Sequence, residues 1–304
     1  MIDISYKFTT LRYALVEGSL QAPPEIIRRI REKRVPKGDV LEVARAAGIA
    51  AAKATSERIV FCHPVPLDWV GIRYEFTGDR VKVYGEVRAV WKTGVEMEAL
   101  SAVSGALLNM YDMLKPLCAE IVIGEMRLTE KTGGKSDFTE CFEKPLRAAV
   151  FVVSDSTYAG ERKDTTGAAI REYLEERGLR VSVFETIPDD KEKIATSLAS
   201  CAESGTAELL LTTGGTGLGP KDLTPEATRE VIEREVPGIA EAIRRHGKER
   251  SPFAMLSREV AGVVRDSLVI NLPGSRKGAV ESLQALFPGL LHIFPMLRGE
   301  GHNR

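Results

Sequence analysis

The sequence predicts two domains of different fold class: an α+β domain at residues 1–140 and an α/β domain at residues 148–304. In the first part, two strand-like segments of alternating polarity precede a long helix and a further strand. This order indicates an antiparallel sheet with helices on one side. In the second part, short strands alternate with helices through short joints, which indicates a mostly parallel sheet covered on both faces. A length of 304 residues accommodates two such cores.

The composition excludes several classes of protein. Hydrophobic residues make up 43% of the chain and charged residues 28%, and the formal net charge of −1 creates no field that favours nucleic acid or a membrane surface. The four cysteines include no Cys-x-x-Cys pair, so neither a disulfide framework nor a cysteine-rich zinc site is expected. The N-terminus shows no apolar segment of signal-peptide length, and no apolar run is long enough to span a bilayer. We therefore expect a cytoplasmic protein.

The first domain opens with a short alternating segment, followed by a polar helix that starts at Pro23 and Pro24. Asp39 occupies the N-cap position of the next helix, and Glu42 the capping-box position. This helix is so rich in Ala and Gly that another element is expected to pack very close to it. The later elements are strands at residues 69–76, 81–90 and 120–128 and a long helix within residues 92–115.

The long helix has two faces of different character. Its apolar stripe consists of Leu100, Val103, Leu107, Met110 and Leu114. Its opposite face consists of Glu98, Ser101, Gly105, Asn109 and Asp112. Small residues permit close approach, so this face is expected to form one wall of a pocket, where two acids with separated pKa values do acid–base work. The alternative is an exposed face with two ordinary acids.

The end of the first domain, EKTGGKSD, fits a phosphate-binding loop only in part. Gly134-Lys135-Ser136 matches the last part of the Walker A pattern, but Thr129 stands where the first glycine is required. No helix is expected to follow, so this loop type is excluded. The composition changes over residues 140–147, and the linker is placed at residues 141–147.

The second domain is predicted from an alternation of strands and helices. The strands are at residues 148–153, 181–185, 208–211 and 267–272, and the helices are at residues 164–177 and 189–204, with two more helical segments before the last strand. Gly178 and Gly205 stand where a glycine C-cap ends a helix. In parallel sheets of this type, ligands bind at the carboxyl ends of the strands.

Two glycine-containing loops lie at such strand ends, residues 212–217 and 271–275. Glycine frees the backbone to present N–H groups to an anion, and threonine hydroxyls add donors. Thr224 and Pro225 are expected at the N-cap and first position of the next helix, whose positive end adds to the field.

These loops are not a dinucleotide fingerprint, because Pro220 occupies the position of its third glycine. Asp222 follows the first loop, and Asp189 is expected at the same rim. Carboxylates near phosphates usually hold magnesium, so a phosphate and Mg²⁺ site is predicted, with plain turn chemistry as the alternative.

With these motifs in view, residues 1–140 resemble cyclic pyranopterin monophosphate synthase, the MoaC family of molybdenum-cofactor biosynthesis. The matching segments are MIDIS, KGDVLEVARAAGIAAAK, CHPVPL, KTGVEMEAL, YDMLK and IVIGEMRLTEKTGGKS. The resemblance implies a ferredoxin-like fold and a lyase that converts a 3′,8-cyclised dihydro-GTP to cyclic pyranopterin monophosphate and pyrophosphate.

The same resemblance implies the residues of the first site. The implied catalytic residues are Asp112, Lys37, Lys115 and His63, with Asp112 as the acid–base residue. The implied substrate-binding residues are Phe61, Cys62, His63, Met97, Glu98, Lys131 and Lys135, the two lysines meeting the triphosphate. Alone, His63 would be read as a turn residue and the lysines as surface charges. Cys62 and His63 have no further ligands at a metal-site spacing.

Residues 147–298 resemble molybdopterin adenylyltransferase and its relatives, the MogA/MoaB family, through VSDS, IPDD, LTTGGTGLGPKDLTPEA and NLPGS. The resemblance implies a three-layer molybdopterin-binding fold and transfer of AMP from Mg-ATP to the phosphate of molybdopterin. The implied catalytic residues and Mg²⁺ ligands are Asp189 and Asp222. The implied substrate-binding residues are Ser154, Asp155, Gly214, Gly215, Thr216, Gly217, Pro273, Gly274 and Ser275. Lys221 stands where the family often has arginine, which keeps the charge but loses bidentate phosphate geometry.

Together the two resemblances imply a bifunctional enzyme that acts at an early and a late step of one pathway. The alternative keeps only the first activity, with the second half as a pterin-binding or oligomerisation module. The families form hexamers (first half) and trimers or hexamers (second half), so a homo-oligomer is expected. The expected partners are small molecules, with Mg²⁺ arriving with ATP, no tightly bound cofactor, and neither nucleic acid nor membrane.

Overall fold

Two units divide the chain in the computed structural model, which describes residues 1–299. One unit spans Met1–Phe138, and the other begins at Thr139. The predicted linker, residues 141–147, falls on the second unit's side of this boundary. Within it, Phe142 packs edge-on against Phe294, and Arg147 is the first residue of a strand.

The first unit is built on an antiparallel sheet. Its strands are β1 (Thr10–Gln21), β2 (Trp69–Thr77), β3 (Arg80–Trp91), β4 (Val122–Ile123) and β5 (Arg127–Thr132). Its helices are α1 (Pro24–Arg31), α2 (Val40–Lys53), α3 (Thr55–Arg58) and α4 (Glu96–Leu114), with a 3₁₀ helix at Lys135–Phe138. The strand order is β2-β3-β1-β4, with β5 also paired to β1. This confirms the predicted antiparallel sheet, although the single strand expected at residues 120–128 is two short strands.

Alternation along β1 determines which face of the first sheet is buried. Ala14, Val16 and Leu20 are fully buried in one core, whereas the alternate residues Leu15, Glu17 and Ser19 are more exposed. Gly18 lies on the buried face, and a methyl group there would stand 2.6 Å from Val103 of α4. Glycine at this position therefore lets α4 lie directly on the sheet.

Helix α2 packs on α4 through small residues of both helices. A methyl group on Gly105 would lie 2.5 Å from Cβ of Ala51, and one on Gly48 would lie 2.8 Å from a backbone oxygen of α4. The predicted close packing against α2 is therefore present. It also corrects the interpretation of the small-residue face of α4 as a pocket wall. The middle of that face contacts α2, and only Glu98 and Asp112 at its ends remain for a site.

The second unit contains a six-stranded sheet among its described residues. Its strands are β6 (Arg147–Val153), β7 (Arg180–Ile187), β8 (Leu209–Thr213), β9 (Arg234–Glu235), β10 (Ala261–Val264) and β11 (Ser267–Leu272). Its helices are α5 (Asp155–Tyr158), α6 (Thr166–Glu175), α7 (Lys191–Glu203), α8 (Thr224–Val231), α9 (Pro237–Lys248), α10 (Arg276–Leu286) and α11 (Ile293–Leu297), with 3₁₀ helices at Pro252–Leu256 and Gly289–His292. Within residues 1–299 no single helix is long and apolar enough to cross a membrane; only a pair bent by 55°, Arg276–Leu286 with Gly289–Leu297, meets length and composition requirements together.

The strand order of the second sheet is β7-β6-β8-β11-β10-β9. The first four strands are parallel, β10 is antiparallel to β11, and β9 is antiparallel to β10. Along β6, Ala148 and Val150 face one core, whereas Ala149 and Phe151 face another. The mostly parallel sheet with both faces covered is therefore confirmed. The loops that follow β6, β7, β8 and β11 consequently emerge at one edge of the sheet.

Candidate active sites

The carboxylate of Asp112 lies between two lysines near the C-terminal end of α4. Lys115 is the C-cap residue of this helix, and its Nζ is 2.7 Å from Oδ1 of Asp112. Lys37 donates to Oδ2 at 2.7 Å and to the backbone carbonyl of Asp112 at 2.8 Å. Hydrogen bonds from Lys115 and Lys37 lower the pKa of Asp112 to about 2, and the bond to Asp112 raises the pKa of Lys115. The Asp112 side chain is 55% exposed, so this cluster is open to solvent in one chain.

The turn that carries Lys37 is fixed by the two residues after it. Gly38 has a φ of 109°, which side-chain-bearing residues rarely adopt. Asp39 is the N-cap of α2, as predicted, and its Oδ1 accepts hydrogen bonds from backbone N–H groups of the first turn. Because α2 packs against α4, the start of α2 places the Lys37 ammonium on Asp112.

Glu98, near the other end of α4, has the opposite environment. It is 3% exposed, and Sγ of Cys62 donates to its Oε1 at 3.6 Å. Its Oε2 is buried without a hydrogen-bond partner among the described residues. Burial raises the pKa of Glu98, and burial followed by the charge of Glu98 raises the pKa of Cys62 to about 11. The pKa values of the two carboxyls on α4 are thus shifted in opposite directions.

The two carboxyls are nevertheless too far apart to act on one small molecule in a single chain. Fourteen positions (112 − 98) separate them on α4. At the usual helical rise, this corresponds to about 21 Å along the helix axis. The expectation of one pocket that both acids face is therefore wrong for one chain. The structure instead forms two clusters, a start cluster around Glu98 and an end cluster made of Lys37, Asp112 and Lys115.

The residues implied beside His63 fall near the start cluster. Cys62 contacts Glu98, and Met97 is the residue before Glu98. Phe61 is 75% exposed and His63 is half-buried. No contact described for residues 1–299 joins His63 to Asp112, so the structure does not bring the four implied catalytic residues of the first unit together.

Of the two lysines predicted to meet the triphosphate, Lys131 lies near the start cluster. Nζ of Lys131 is 3.4 Å from Oε1 of Glu96, at the first turn of α4. Lys135 begins a 3₁₀ helix two residues after Gly133. Gly133 has a φ of 87°, and a methyl group there would lie 1.8 Å from the carbonyl oxygen of Leu11. This turn therefore requires glycine.

Arg12 adjoins the same turn and was not selected from the sequence. It is 8% exposed, and its Nε and Nη2 donate to the carbonyls of Trp91 and Lys92 at 3.2 Å. A methyl group on Gly134 would lie 3.8 Å from Nη1, so the guanidinium borders the lysine-bearing loop. The sequence feature that could have identified Arg12 is its place on the inward-facing side of the alternating strand β1.

In the second unit, the carboxyl ends of β6 and β7 are joined by a reciprocal pair of hydrogen bonds. The backbone N–H of Asp155 donates to Oδ2 of Asp189 at 2.8 Å, and the N–H of Asp189 donates to Oδ1 of Asp155 at 3.0 Å. Lys221 donates to Oδ2 of Asp155 at 2.5 Å, which lowers the pKa of Asp155 and raises that of Lys221. Two predicted site residues and Lys221 thus form one polar cluster.

Glycines after β8 occupy positions that exclude a side chain. Gly214 has a φ of 104°, and a methyl group there would lie 2.3 Å from the carbonyl oxygen of Val153. Gly215 has a φ of 63°, and a methyl group there would lie 2.3 Å from the hydroxyl oxygen of Thr224. Thr224 donates its hydroxyl to the carbonyl of Gly214 at 2.9 Å. The prediction of Thr224 as N-cap is wrong: Leu223 holds that position, and Thr224 fastens the loop instead.

Asp222 lies further along the same loop, and Arg258 fixes the loop around it. Oδ2 of Asp222 accepts a hydrogen bond from the N–H of Gly219 at 2.7 Å. Nε of Arg258 donates to the carbonyl of Gly217 at 2.7 Å, and its two terminal nitrogens donate to the carbonyl of Asp222 and the carboxylate of Glu226. Arg258 was not predictable from the sequence, because it follows Asp222 by 36 residues and belongs to no local motif.

The predicted turn at residues 273–275 closes against the glycine loop. Thr213 donates its hydroxyl to the carbonyl of Pro273 at 2.8 Å, and Thr166 donates to the carbonyl of Gly274 at 3.1 Å. A methyl group on Gly274 would lie 3.2 Å from Cα of Gly214. The two glycine-containing loops are therefore in direct contact, as their places in the sheet predict.

Three hydroxyl-bearing residues of the predicted rim form hydrogen bonds with nearby backbone or side-chain groups. Oγ of Ser154 accepts a hydrogen bond from the N–H of Thr157 and caps α5, and Oγ of Ser275 does the same for α10. The hydroxyl of Thr216 is 3.2 Å from that of Ser257. These side chains shape the rim, and each hydroxyl that accepts a bond retains a hydrogen to donate.

The second site fits magnesium bound together with a phosphate ligand. Among residues 1–299 no group of three or more His, Cys, Asp or Glu side chains is arranged to hold a metal ion. Asp189 and Asp222 each use Oδ2 to accept a backbone N–H, which leaves the other carboxylate oxygen for a ligand. Mg²⁺ is usually bound by one or two carboxylates with substrate phosphates and water. These residues therefore suit a magnesium ion that arrives with a phosphate ligand.

Comparison with known proteins gives a match for each unit. Residues 1–134 match the MoaC family, and residues 149–292 match a probable molybdopterin binding domain. The molybdenum cofactor biosynthesis bifunctional protein of Chlorobaculum tepidum is 41% identical over 302 residues, which cover 99% of this chain and 96% of that protein. A cyclic pyranopterin monophosphate synthase of Brevibacillus brevis is 49% identical over 137 residues, 45% of this chain and 86% of that protein. The molybdopterin biosynthesis enzyme MoaB of Thermus thermophilus superposes with a TM-score of 0.49 at 48% identity, covering 51% of this chain and 97% of that structure.

Proposed function

The chain belongs to the family of bifunctional molybdenum cofactor biosynthesis proteins, and we propose that its units catalyse two separate steps. The first unit converts a 3′,8-cyclised dihydro-GTP to cyclic pyranopterin monophosphate and pyrophosphate. The second unit transfers AMP from Mg-ATP to molybdopterin. The observation that carries the proposal is that each unit pairs carboxylates with anion-binding groups in the segment that matches the corresponding family.

The end cluster of the first unit supplies both charges that the first reaction needs. Opening a purine-derived ring requires proton transfer, and expelling pyrophosphate requires fixed positive charge. With a pKa of about 2, Asp112 is a poor proton acceptor while both lysines are bonded to it. When Lys37 and Lys115 turn to phosphate oxygens, those bonds are lost and the pKa of Asp112 rises. Substrate binding thereby activates the carboxylate.

The separation of the two clusters on α4 supports a homo-oligomer, either a trimer or a hexamer. The start cluster contains the buried carboxyl of Glu98 and lies beside Lys131, whereas the end cluster holds Asp112. At about 21 Å along the helix, one chain does not present both to the same ring. The start cluster of one copy beside the end cluster of another would complete the site. Exposed apolar side chains at Val60 and Phe61 are consistent with such an interface.

In the second unit, backbone groups hold the phosphates of ATP. Residues 215–217 present N–H groups beside the N-terminal end of α8, where the helix dipole favours an anion, while the N–H of Gly214 donates to the carbonyl of Leu272 at 3.3 Å. Lys221 adds a cation, and Asp189 and Asp222 bind the magnesium that arrives with ATP. When held by these two carboxylates, the ion would supply positive charge to the phosphates. Arg258 donates to the carbonyls of both Gly217 and Asp222 and so fixes their positions relative to each other.

One alternative remains for the second unit, namely a pterin-binding or oligomerisation module without transfer activity. The matching family is described only as a probable molybdopterin binding domain, which covers binding and not AMP transfer. Lys221 also engages Asp155, so it serves phosphate only after leaving that partner. We propose a cytoplasmic location, because the substrates of both proposed steps are soluble small molecules.

Pyrophosphate release by the purified full chain tests the proposal. The two reactions are assayed separately, one with the cyclised dihydro-GTP and one with ATP plus molybdopterin, and the products are identified by mass spectrometry. We expect release in both. Tight pterin binding without ATP-dependent release would establish the binding module, and no release with the cyclised substrate would overturn the assignment of the first unit.

A further inference from the structure

A cavity of about 330 Å³ lies in the second unit beside the proposed phosphate site. Its walls come from α9, the 3₁₀ helix Pro252–Leu256 and the start of α10. Ser257 lines it and contacts Thr216 of the glycine loop at 3.2 Å, and Pro273 lines it and accepts a hydrogen bond from Thr213. The cavity and the glycine loop therefore share a wall.

Glu259 lines this cavity and is 4% exposed. Its Oε2 is 3.5 Å from Nη1 of Arg244, at the limit of a hydrogen bond, while Arg244 donates at 3.2 Å to the backbone carbonyl of Glu259. Burial raises the pKa of Glu259 and outweighs the hydrogen bonds from Ser257 and Arg244 that lower it, so the charged form is incompletely stabilised where it lies. A purely structural ion pair would be expected to show shorter, paired contacts. The carboxyl retains capacity for further donors.

The aminopyrimidinone ring of a pterin matches these groups. It presents two adjacent N–H donors, which fit the two oxygens of a carboxylate in the way a guanidinium does. Next to them it presents a carbonyl oxygen, for which Arg244 is a donor. Phe253, 74% exposed on the cavity wall, and the buried Ile243 offer apolar surface to the faces of the ring.

We propose that Glu259 is a specificity-determining residue of the second unit that accepts hydrogen bonds from the aminopyrimidinone N–H groups of molybdopterin. The phosphate end of the same ligand then points towards residues 214–217, beside the phosphates of ATP. This inference rests on the proposed function, because it presupposes that the second unit binds molybdopterin. It adds the residue that distinguishes this ring from others of the same shape.

Binding of pterin and lumazine to the full chain tests this role, because lumazine has an oxygen in place of the 2-amino group. The wild type should bind pterin at least about tenfold more tightly than lumazine, since the lumazine carbonyl would face a carboxylate. In Glu259→Gln this preference should fall to within about threefold, because an amide either donates or accepts. Isothermal titration calorimetry gives both affinities for each protein.

Three further measurements make the outcome unambiguous. Glu281→Gln alters another carboxyl on the cavity wall and should keep the wild-type preference. Glu259→Asp keeps the carboxylate and should keep the preference for pterin at reduced affinity, which covers the case that Glu259→Gln does not fold. Binding of ADP should stay within about twofold in every variant, because the phosphate site is unchanged.

Two results would overturn the inference in distinguishable ways. If Glu259→Gln binds pterin and lumazine with the wild-type ratio, Glu259 does not read the ring, while the proposed function stands. If the wild type binds ADP but neither ring, the pterin part of the proposed function falls together with the inference.

Discussion

The two candidate sites stabilise negatively charged groups by different means. In the first unit, the ammonium groups of Lys37 and Lys115 hold Asp112 on an exposed surface. In the second unit, most of the groups that hold negative charge belong to the backbone. They include the glycine-containing loop and the N–H groups that join Asp155 and Asp189, within a tightly packed loop system. Long lysine side chains can exchange one partner for another, whereas a packed loop is already formed before a ligand arrives. The first site should therefore depend on side-chain charge and the second on loop geometry.

Removal of a lysine from the end cluster should produce the largest effect. We expect Lys37→Met or Lys115→Met to lower kcat/KM for cyclic pyranopterin monophosphate formation by about 100-fold, because fixed positive charge for the leaving pyrophosphate is lost. The ATP-dependent reaction should stay within about twofold. Pyrophosphate release with each substrate measures both. Lys53→Met, at the exposed end of α2, is the matched control. Equal losses in both reactions would remove the contrast between the units.

A smaller effect is expected from the lysine of the second cluster. Lys221→Met should lower the ATP-dependent rate by about tenfold, because a single cation beside preformed backbone donors is lost. Lys221→Arg should recover most of the rate, since it restores a cation. Lys221 lowers the pKa of Asp155, so its removal raises that pKa and should move the acidic limb of the rate–pH profile to higher pH. An unchanged rate–pH profile would mean that the ionisation of Asp155 does not affect the reaction.

Overpacking between α2 and α4 tests the geometry beneath the first site. Gly105→Ala places a methyl group 2.5 Å from Ala51 and should destabilise the first unit by about 1–3 kcal/mol. Both tryptophans, Trp69 and Trp91, lie in this unit, so their fluorescence during urea unfolding reports on it alone. Gly238→Ala in α9 meets no atom within 4 Å and should leave the tryptophan transition unchanged. An unaffected midpoint in Gly105→Ala would mean that the helices are less closely packed.

The smallest effect concerns the pH dependence of stability. Burial raises the pKa of Glu98, so the folded first unit holds this proton more tightly than the unfolded chain, and stability falls as pH rises through the raised pKa. Glu98→Gln does not lose stability in this way, so it should gain on the order of 1 kcal/mol relative to the wild type as the pH rises above the ordinary glutamate pKa of 4.5. Tryptophan-monitored unfolding at several pH values measures the difference. A difference that does not vary with pH would mean that Glu98 is ionised in the fold.

The periodicity of apolar residues and the local sequence motifs were sufficient to predict the architecture and part of each site. The alternation of β6 to β8 with helices predicted a parallel sheet, and the sheet in turn brings Asp155 beside Asp189 from two separate loops. The cap at Asp39 and the close packing of α2 followed from local composition. These features depend on neighbours in the chain or on strand order, which a sequence displays directly.

Features that depend on distant contacts were not predictable from residue patterns. Lys37 meets Asp112 across 75 residues, and only the resemblance to a family put them in one site. Arg258 reaches the Asp222 loop from a later segment, and Arg12 looked like one more residue of an alternating strand. The distance along α4 between Glu98 and Asp112 was computable from the helical rise, but the pattern of small residues suggested one shared pocket.

The most direct test of two independent sites is a pair of isosteric variants assayed for both reactions in the full chain. Asp112→Asn should reduce cyclic pyranopterin monophosphate formation by about 1,000-fold and leave AMP transfer within about twofold. Asp222→Asn should do the reverse. If either variant lost both activities while its fold was intact, the two units would not hold separate active sites.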